Sequence, residues 1–151
     1  MNRISEYSHS GYYIWLKQSE RITMGFKIEK EDKYAILYTQ TEKIQSINAP
    51  LLKSELVMLI KGGFKNIIVD MAETRYCDSS GLSALLTGNR LSHEADGTFV
   101  LSTLQPSVEK LVAISQLNSV FDIVPTKDEA IDVVLMEEIE RELRAAADDK
   151  S

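Results

Sequence analysis

The chain has 151 residues, of which 44% are hydrophobic and 26% charged, with a net charge of −6 and a pI of about 5.0. This fits one globular domain with short extensions, large enough to hold a core without disulfides or metals, and argues against disorder of the whole chain. The acidic balance speaks against a nucleic-acid surface, one cysteine (Cys77) and two distant histidines (His9, His93) exclude an internal disulfide and a zinc cluster, and no apolar run is long enough for a membrane span, so the expected location is the cytoplasm.

Residues 1–23 hold Tyr7, Tyr12, Tyr13 and Trp15 among polar residues with weak periodicity, and are expected to be an appendage, either an arm or the product of an upstream start. A regular pattern opens at Met24 and is expected to form the domain over residues 24–144. Phe26 and Ile28 alternate with polar residues as an edge strand does, and Tyr34 to Tyr38 is a second strand. Leu52, Leu56, Leu59 and Ile60 make one face of a helix that stops at Gly62-Gly63. Ile67-Ile68-Val69 suits a strand buried on both faces.

A helix is predicted from about Ser79, then a turn at Gly97 and a strand over Thr98 to Leu101. Pro106 begins the next helix, Val120 to Val124 is a short strand, and Thr126-x-x-Glu129 is a capping-box signature. The last helix carries Ile131, Leu135, Ile139 and Leu143 on a stripe expected to pack on the sheet. Its charged run contains a possible Glu137–Arg141 pair, and residues 145–151 are expected to fray. Strands alternating with helices imply an α/β domain with a largely parallel sheet, an antiparallel N-terminal edge strand and about four helices.

The informative stretch is Tyr76-Cys77-Asp78-Ser79-Ser80-Gly81-Leu82, which follows a buried strand and opens a helix. Asp and Ser are good N-caps, because their side-chain oxygens accept from the free N–H groups of the first turn. Spacing alone is equally satisfied by a well-capped helix with no further role. Leu82, Leu85 and Leu86 on the following helix read as core.

Asp78-Ser79-Ser80-Gly81-Leu82, in this strand-loop-helix setting and with this order of elements from Met24 to about Val134, resembles the signature of the STAS family, the sulphate-transporter and anti-sigma factor antagonist domain. The resemblance to the antagonists implies a regulatory protein that is not an enzyme and needs no cofactor or metal. It would bind an anti-sigma factor with serine kinase activity when unphosphorylated, be released by phosphorylation of Ser79, and be reset by a serine phosphatase, thereby controlling sigma-factor-dependent transcription. Ser80 is the fallback acceptor. Asp78, Gly81, Ser83, Thr87 and Arg90 would form the docking face, with Gly81 allowing close approach of a partner backbone. Many antagonists carry a Gly-Glu-Leu-Asp-like segment after the second strand. Here it corresponds to Glu42-Lys43-Ile44-Gln45, so Ile44 would keep the hydrophobic contact while Gln45 replaces the acid.

Three alternatives stay open. A STAS module can bind a small ligand or nucleotide, or serve a transporter or signalling assembly. A serine hydrolase would need a base near Ser79, yet His93 lies at the far end of the same helix, about 20 Å away by helical rise. A phospho-aspartate receiver would use Asp70, but the early strands offer no acidic pair for magnesium, so Asp70 reads as a solvated strand end. Oligomeric state is monomer or weak dimer, the latter through Ile139 and Leu143.

Overall fold

The computed structural model describes residues 4–7, 13–16 and 20–149. Strands β1 (Ile4–Tyr7) and β2 (Tyr13–Leu16) form an antiparallel pair of their own, with Ile4 opposite Leu16 and Tyr7 opposite Tyr13. Of the sequence expectations, those on His9 and Tyr12, and the end of the tail at residues 150–151, lie outside the described residues.

The main sheet begins with β3 (Glu20–Thr23), β4 (Phe26–Lys30) and β5 (Ala35–Thr39), with β4 antiparallel to its neighbours β3 and β5. Met24 and Gly25 join β3 to β4 with φ values of 40° and 90°. Positive φ at both turn positions matches the twist of a tight hairpin, and glycine reaches it without steric cost. Met24 is therefore a hairpin tip, and the sheet starts at Glu20 rather than at position 24. Beyond β5 come β6 (Lys43–Ile44), α1 (Ala49–Lys61), β7 (Ile67–Asp70), β8 (Tyr76–Cys77), α2 (Ser79–Glu94), β9 (Phe99–Ser102), α3 (Pro106–Ile114), β10 (Asp122–Val124) and α4 (Lys127–Asp149).

The strand order is β10-β9-β7-β5-β4-β3, with β5, β7, β9 and β10 parallel. The successive crossovers all step the same way along the sheet. Right-handed connections then put α1, α2 and α3 on one face. On that face Leu52, Leu56, Leu85, Val108 and Val112 pack over Ile67, Val69, Phe99 and Leu101. On the other face Ala130 and Val134 of α4 cover Ile36, Ile68 and Val100. The period-two alternation of Ile67-Ile68-Val69 feeds both layers, which is why the run is apolar throughout.

Thr126 caps α4: its hydroxyl accepts from the Glu129 amide at 3.2 Å and donates to the Glu129 carboxylate at 3.1 Å. The stripe expected to pack on the sheet is only partly right. Ile131 and Leu135 are half-buried, but Ile139 and Leu143 are 54% and 66% exposed. Past Val134 the sheet-facing row turns polar, because Arg141 donates to Asn66 Oδ1 at 2.8 Å and Thr98 Oγ1 at 3.0 Å. Its ion pair is with Glu138 at 2.9 Å, not with Glu137, whose carboxylate takes the Thr98 hydroxyl at 2.8 Å. The helix runs through Asp149.

Candidate functional site

Strands β6 and β8 pair in parallel, Lys43 with Tyr76 and Ile44 with Cys77. The Asp78 amide extends the ladder onto the Ile44 carbonyl at 3.0 Å. β8 passes through Asp78 into α2 and β6 through the turn at residues 45–48 into α1, so the N-termini of α1 and α2 lie side by side at one end of the sheet.

Asp78 is extended (ψ −175°) and caps α2. Its Oδ1 accepts from the Ser80 amide at 2.9 Å, the Gly81 amide at 3.2 Å and the Ser80 hydroxyl at 2.5 Å. The Ser80 hydroxyl first, with the Gly81, Ser80 and Ser46 amides, holds the Asp78 carboxyl below the usual carboxylate range despite partial desolvation. The two hydroxyls at this turn therefore differ. Ser80 is half-buried and committed to Asp78, whereas Ser79 is exposed, and among the described residues its hydroxyl has no hydrogen-bond partner. The cap also consumes the Ser80 and Gly81 amides, so a charge placed on Ser79 meets the positive end of the helix rather than a vacant amide cradle.

Ser83 and Arg90 are exposed and Thr87 half-exposed; with Ser79 their spacing sets them along one face of α2. Thr87 donates to the Ser83 carbonyl at 3.1 Å, and Arg90 pairs with Glu94 at 3.1 Å. Leu82 and Leu85 are buried and Leu86 packs against the core, as expected.

Two sequence expectations for this face need correction. Ile44 is 0% exposed and sits in the core, so no partner can touch it while the fold is intact. Gly81 is buried as well, and the close approach it permits is internal: a Cβ there would lie 2.5 Å from Cys77 Sγ and 2.8 Å from Ile44 Cγ2. Gln45 is half-exposed in the turn before α1, where its amide donates to Asn48 Oδ1 at 2.8 Å. Burial, with the nearby Asp78 charge, pushes the Cys77 thiol up to about 12, which leaves it an inert packing group.

Asp70 is corrected too. It is 7% exposed rather than solvated. Its carboxylate accepts from the Ser102 hydroxyl at 3.0 Å, the Thr103 hydroxyl at 2.8 Å and the Ala72 amide at 3.2 Å, tying β7 to the end of β9. His93 is exposed in the last turn of α2, the opposite end from Ser79. Among the described residues no cluster of His, Cys, Asp and Glu is suited to a metal, and no helix is long and apolar enough to cross a membrane.

The Ser79-Ser80 turn is a ridge between two grooves. One, about 270 Å³, lies toward α1 and is lined by Ala49, Pro50, Lys53, Ser80, Ser83 and Ala84, with Ser46 at its edge. The other, about 380 Å³, lies toward α3 and includes Tyr76, Ser79, Lys110, Leu111 and Ile114. This second groove is not legible in the sequence. Ile114 and Tyr76, exposed apolar residues at the borders of predicted elements, were its only local signal.

The STAS domain model matches residues 26–130, and the chain belongs to the STAS domain family. It is 28% identical over 87 residues to BtrV of Bordetella bronchiseptica, described as a proposed anti-sigma factor antagonist, the match covering 58% of this chain and 75% of that protein. The fold superimposes on the anti-sigma factor antagonist SpoIIAA in its unphosphorylated form with a TM-score of 0.62, at 22% identity over 72% of this chain and 95% of that one. The phosphorylated form of SpoIIAA, from Bacillus, gives 0.58 at 21% identity, covering 72% and 98%. An anti-sigma factor antagonist from Mycobacterium paratuberculosis gives 0.62 at 20% identity, covering 72% and 92%.

Proposed function

We propose that this chain is an anti-sigma factor antagonist switched by phosphorylation of Ser79. The observation that carries the reading is the inequality of the two serines: one hydroxyl is exposed at the lip of α2 and has no partner among the described residues, the other is bound to Asp78. Unphosphorylated, the chain holds an anti-sigma factor that is also a serine kinase. That kinase moves the γ-phosphoryl group of ATP to Ser79 Oγ. The P–O bond to ADP breaks as the new one forms, and the hydroxyl proton is lost. A serine phosphatase reverses the modification by hydrolysis.

The phosphate brings roughly −1.5 to −2 charges and three acceptor oxygens. The positive end of α2 tolerates them, so the fold survives. At a docking surface the same charges add bulk and repel nearby carboxylates, and a hundredfold loss of affinity needs only about 2.8 kcal/mol. The test uses each serine-kinase anti-sigma factor of the source genome, purified singly, with ATP and this chain. Mass spectrometry of the tryptic peptide from Tyr76 to Arg90 is expected to place one phosphate on Ser79. Ser79→Ala is expected to keep the kinase bound and Ser79→Asp to release it. Phosphate found on Ser80, or a kinase that binds both variants equally, would overturn the assignment.

A further inference from the structure

The docking face read from the sequence runs down α2, yet the more apolar of the two grooves beside Ser79 lies toward α3. Its walls are Tyr76 of β8 and Leu111 and Ile114 of α3; Tyr76 is 48% and Ile114 68% exposed. Large apolar side chains left open beside a functional turn mark an interaction site rather than a surface accident. The walls are set before any partner arrives. Gln105 Nε2 donates to the Ala72 carbonyl at 2.5 Å, and the Ser107 hydroxyl donates to the Arg75 carbonyl, pinning the start of α3 to the loop that feeds β8. A preformed groove saves the partner the cost of ordering it.

The charge at the rim says what kind of partner group fits. Two charged residues line the groove, Lys110 and Asp78. Asp78 Oδ1 is taken up by the Ser80 hydroxyl and the Ser80 and Gly81 amides at the helix cap, whereas Lys110 has no ion pair among the described residues. Its neighbour Glu109 faces other surface hollows, with Leu104 and Val112. An apolar trough with one unpaired cation at its lip complements an apolar side chain with a carboxylate next to it.

We infer that the groove between β8 and α3 seats such an apolar–acidic segment of the anti-sigma kinase, with Leu111, Ile114 and Tyr76 taking the apolar side chain and Lys110 the carboxylate. This rests on the reading of Ser79 as the switch and adds a mechanism to it. Ser79 lines the same groove, so a phosphoryl group there faces the partner's carboxylate and competes with it for Lys110.

The test is calorimetric titration of the full-length unphosphorylated chain with the purified kinase. Ile114→Asp and Lys110→Glu are each expected to weaken binding about tenfold or more, the size of a buried interface anchor. Lys110→Arg keeps the charge and is expected to stay within about threefold. Met136→Asp, on exposed α4, serves as the neutral control, and all three positions are exposed enough to leave the fold intact. If Ile114→Asp and Lys110→Glu both bind within about twofold of the unmodified chain while Ser79→Asp releases the kinase, the groove proposal fails and the switch stands. If Ser79→Asp still binds, the switch itself has failed. If Ile114→Asp instead dissolves a dimer in light scattering and leaves kinase affinity unchanged, the groove belongs to a second copy and the proposal is overturned.

Discussion

Gly81 is the residue on which the placement of Ser79 depends. Its α-carbon faces Cys77 and Ile44, which are 4% and 0% exposed and therefore have little room to retreat. A methyl group here must push the first turn of α2 outward, and overpacking of this kind costs about 1–3 kcal/mol. Gly81→Ala is therefore expected to lower the urea midpoint with an unchanged slope. Cys77→Ala should recover part of that loss when combined with it, because it removes the nearer of the two clashing atoms. Additive losses in the double variant would show that Cys77 is not the obstacle. The same packing explains why Ile44 is absent from the surface: it is the floor on which Gly81, and so the Asp78 cap, rests.

At the scale of elements, what could be read from the sequence was whatever is decided locally. Asp78 caps α2 through bonds spanning two and three residues, so residue type and position were enough to place it. The buried run at Ile67 to Val69 announced a central strand in the same way. Three features depend on distant partners and were not legible. The β6–β8 ladder pairs too few residues to show any period. In α4, which apolar row is buried depends on where the sheet lies, so Ile139 and Leu143 could not be told from Val134. The start of the sheet was hidden because Glu20–Thr23 holds a single large apolar residue, Ile22, which is itself 54% exposed.

What fixes β3 is partly remote: Arg21 forms an ion pair with Glu55, a carboxylate on α1 that is 4% exposed. A chain cut to begin at Met24 loses that partner and leaves β4 as an open edge. It is expected to be less stable than a chain beginning at Glu20 by about 1–3 kcal/mol, the cost of leaving a buried charged group unmatched. Equal denaturant midpoints for the two truncations would mean that β3 contributes nothing to stability.

Across the whole molecule, Ser79 and the core are kept apart. Both apolar layers lie against the middle of the sheet, one under α1 to α3 and one under α4. The Asn66–Thr98–Arg141 network fastens α4 near the starts of β7 and β9. Ser79 stands beyond the other end of those strands, outside both layers. A phosphate there adds charge without displacing a core atom, so the modified chain should keep its architecture and lose only its surface complementarity. Hydrogen exchange of the phosphorylated chain is thus expected to leave the protection of Ile67–Asp70 and Phe99–Ser102 unchanged. Altered rates should be confined to residues 76–82 and to α3, while kinase affinity falls about a hundredfold, or about 2.8 kcal/mol. Loss of protection in the central strands would mean that the phosphate acts by loosening the fold, since a surface effect cannot reach amides buried between both layers.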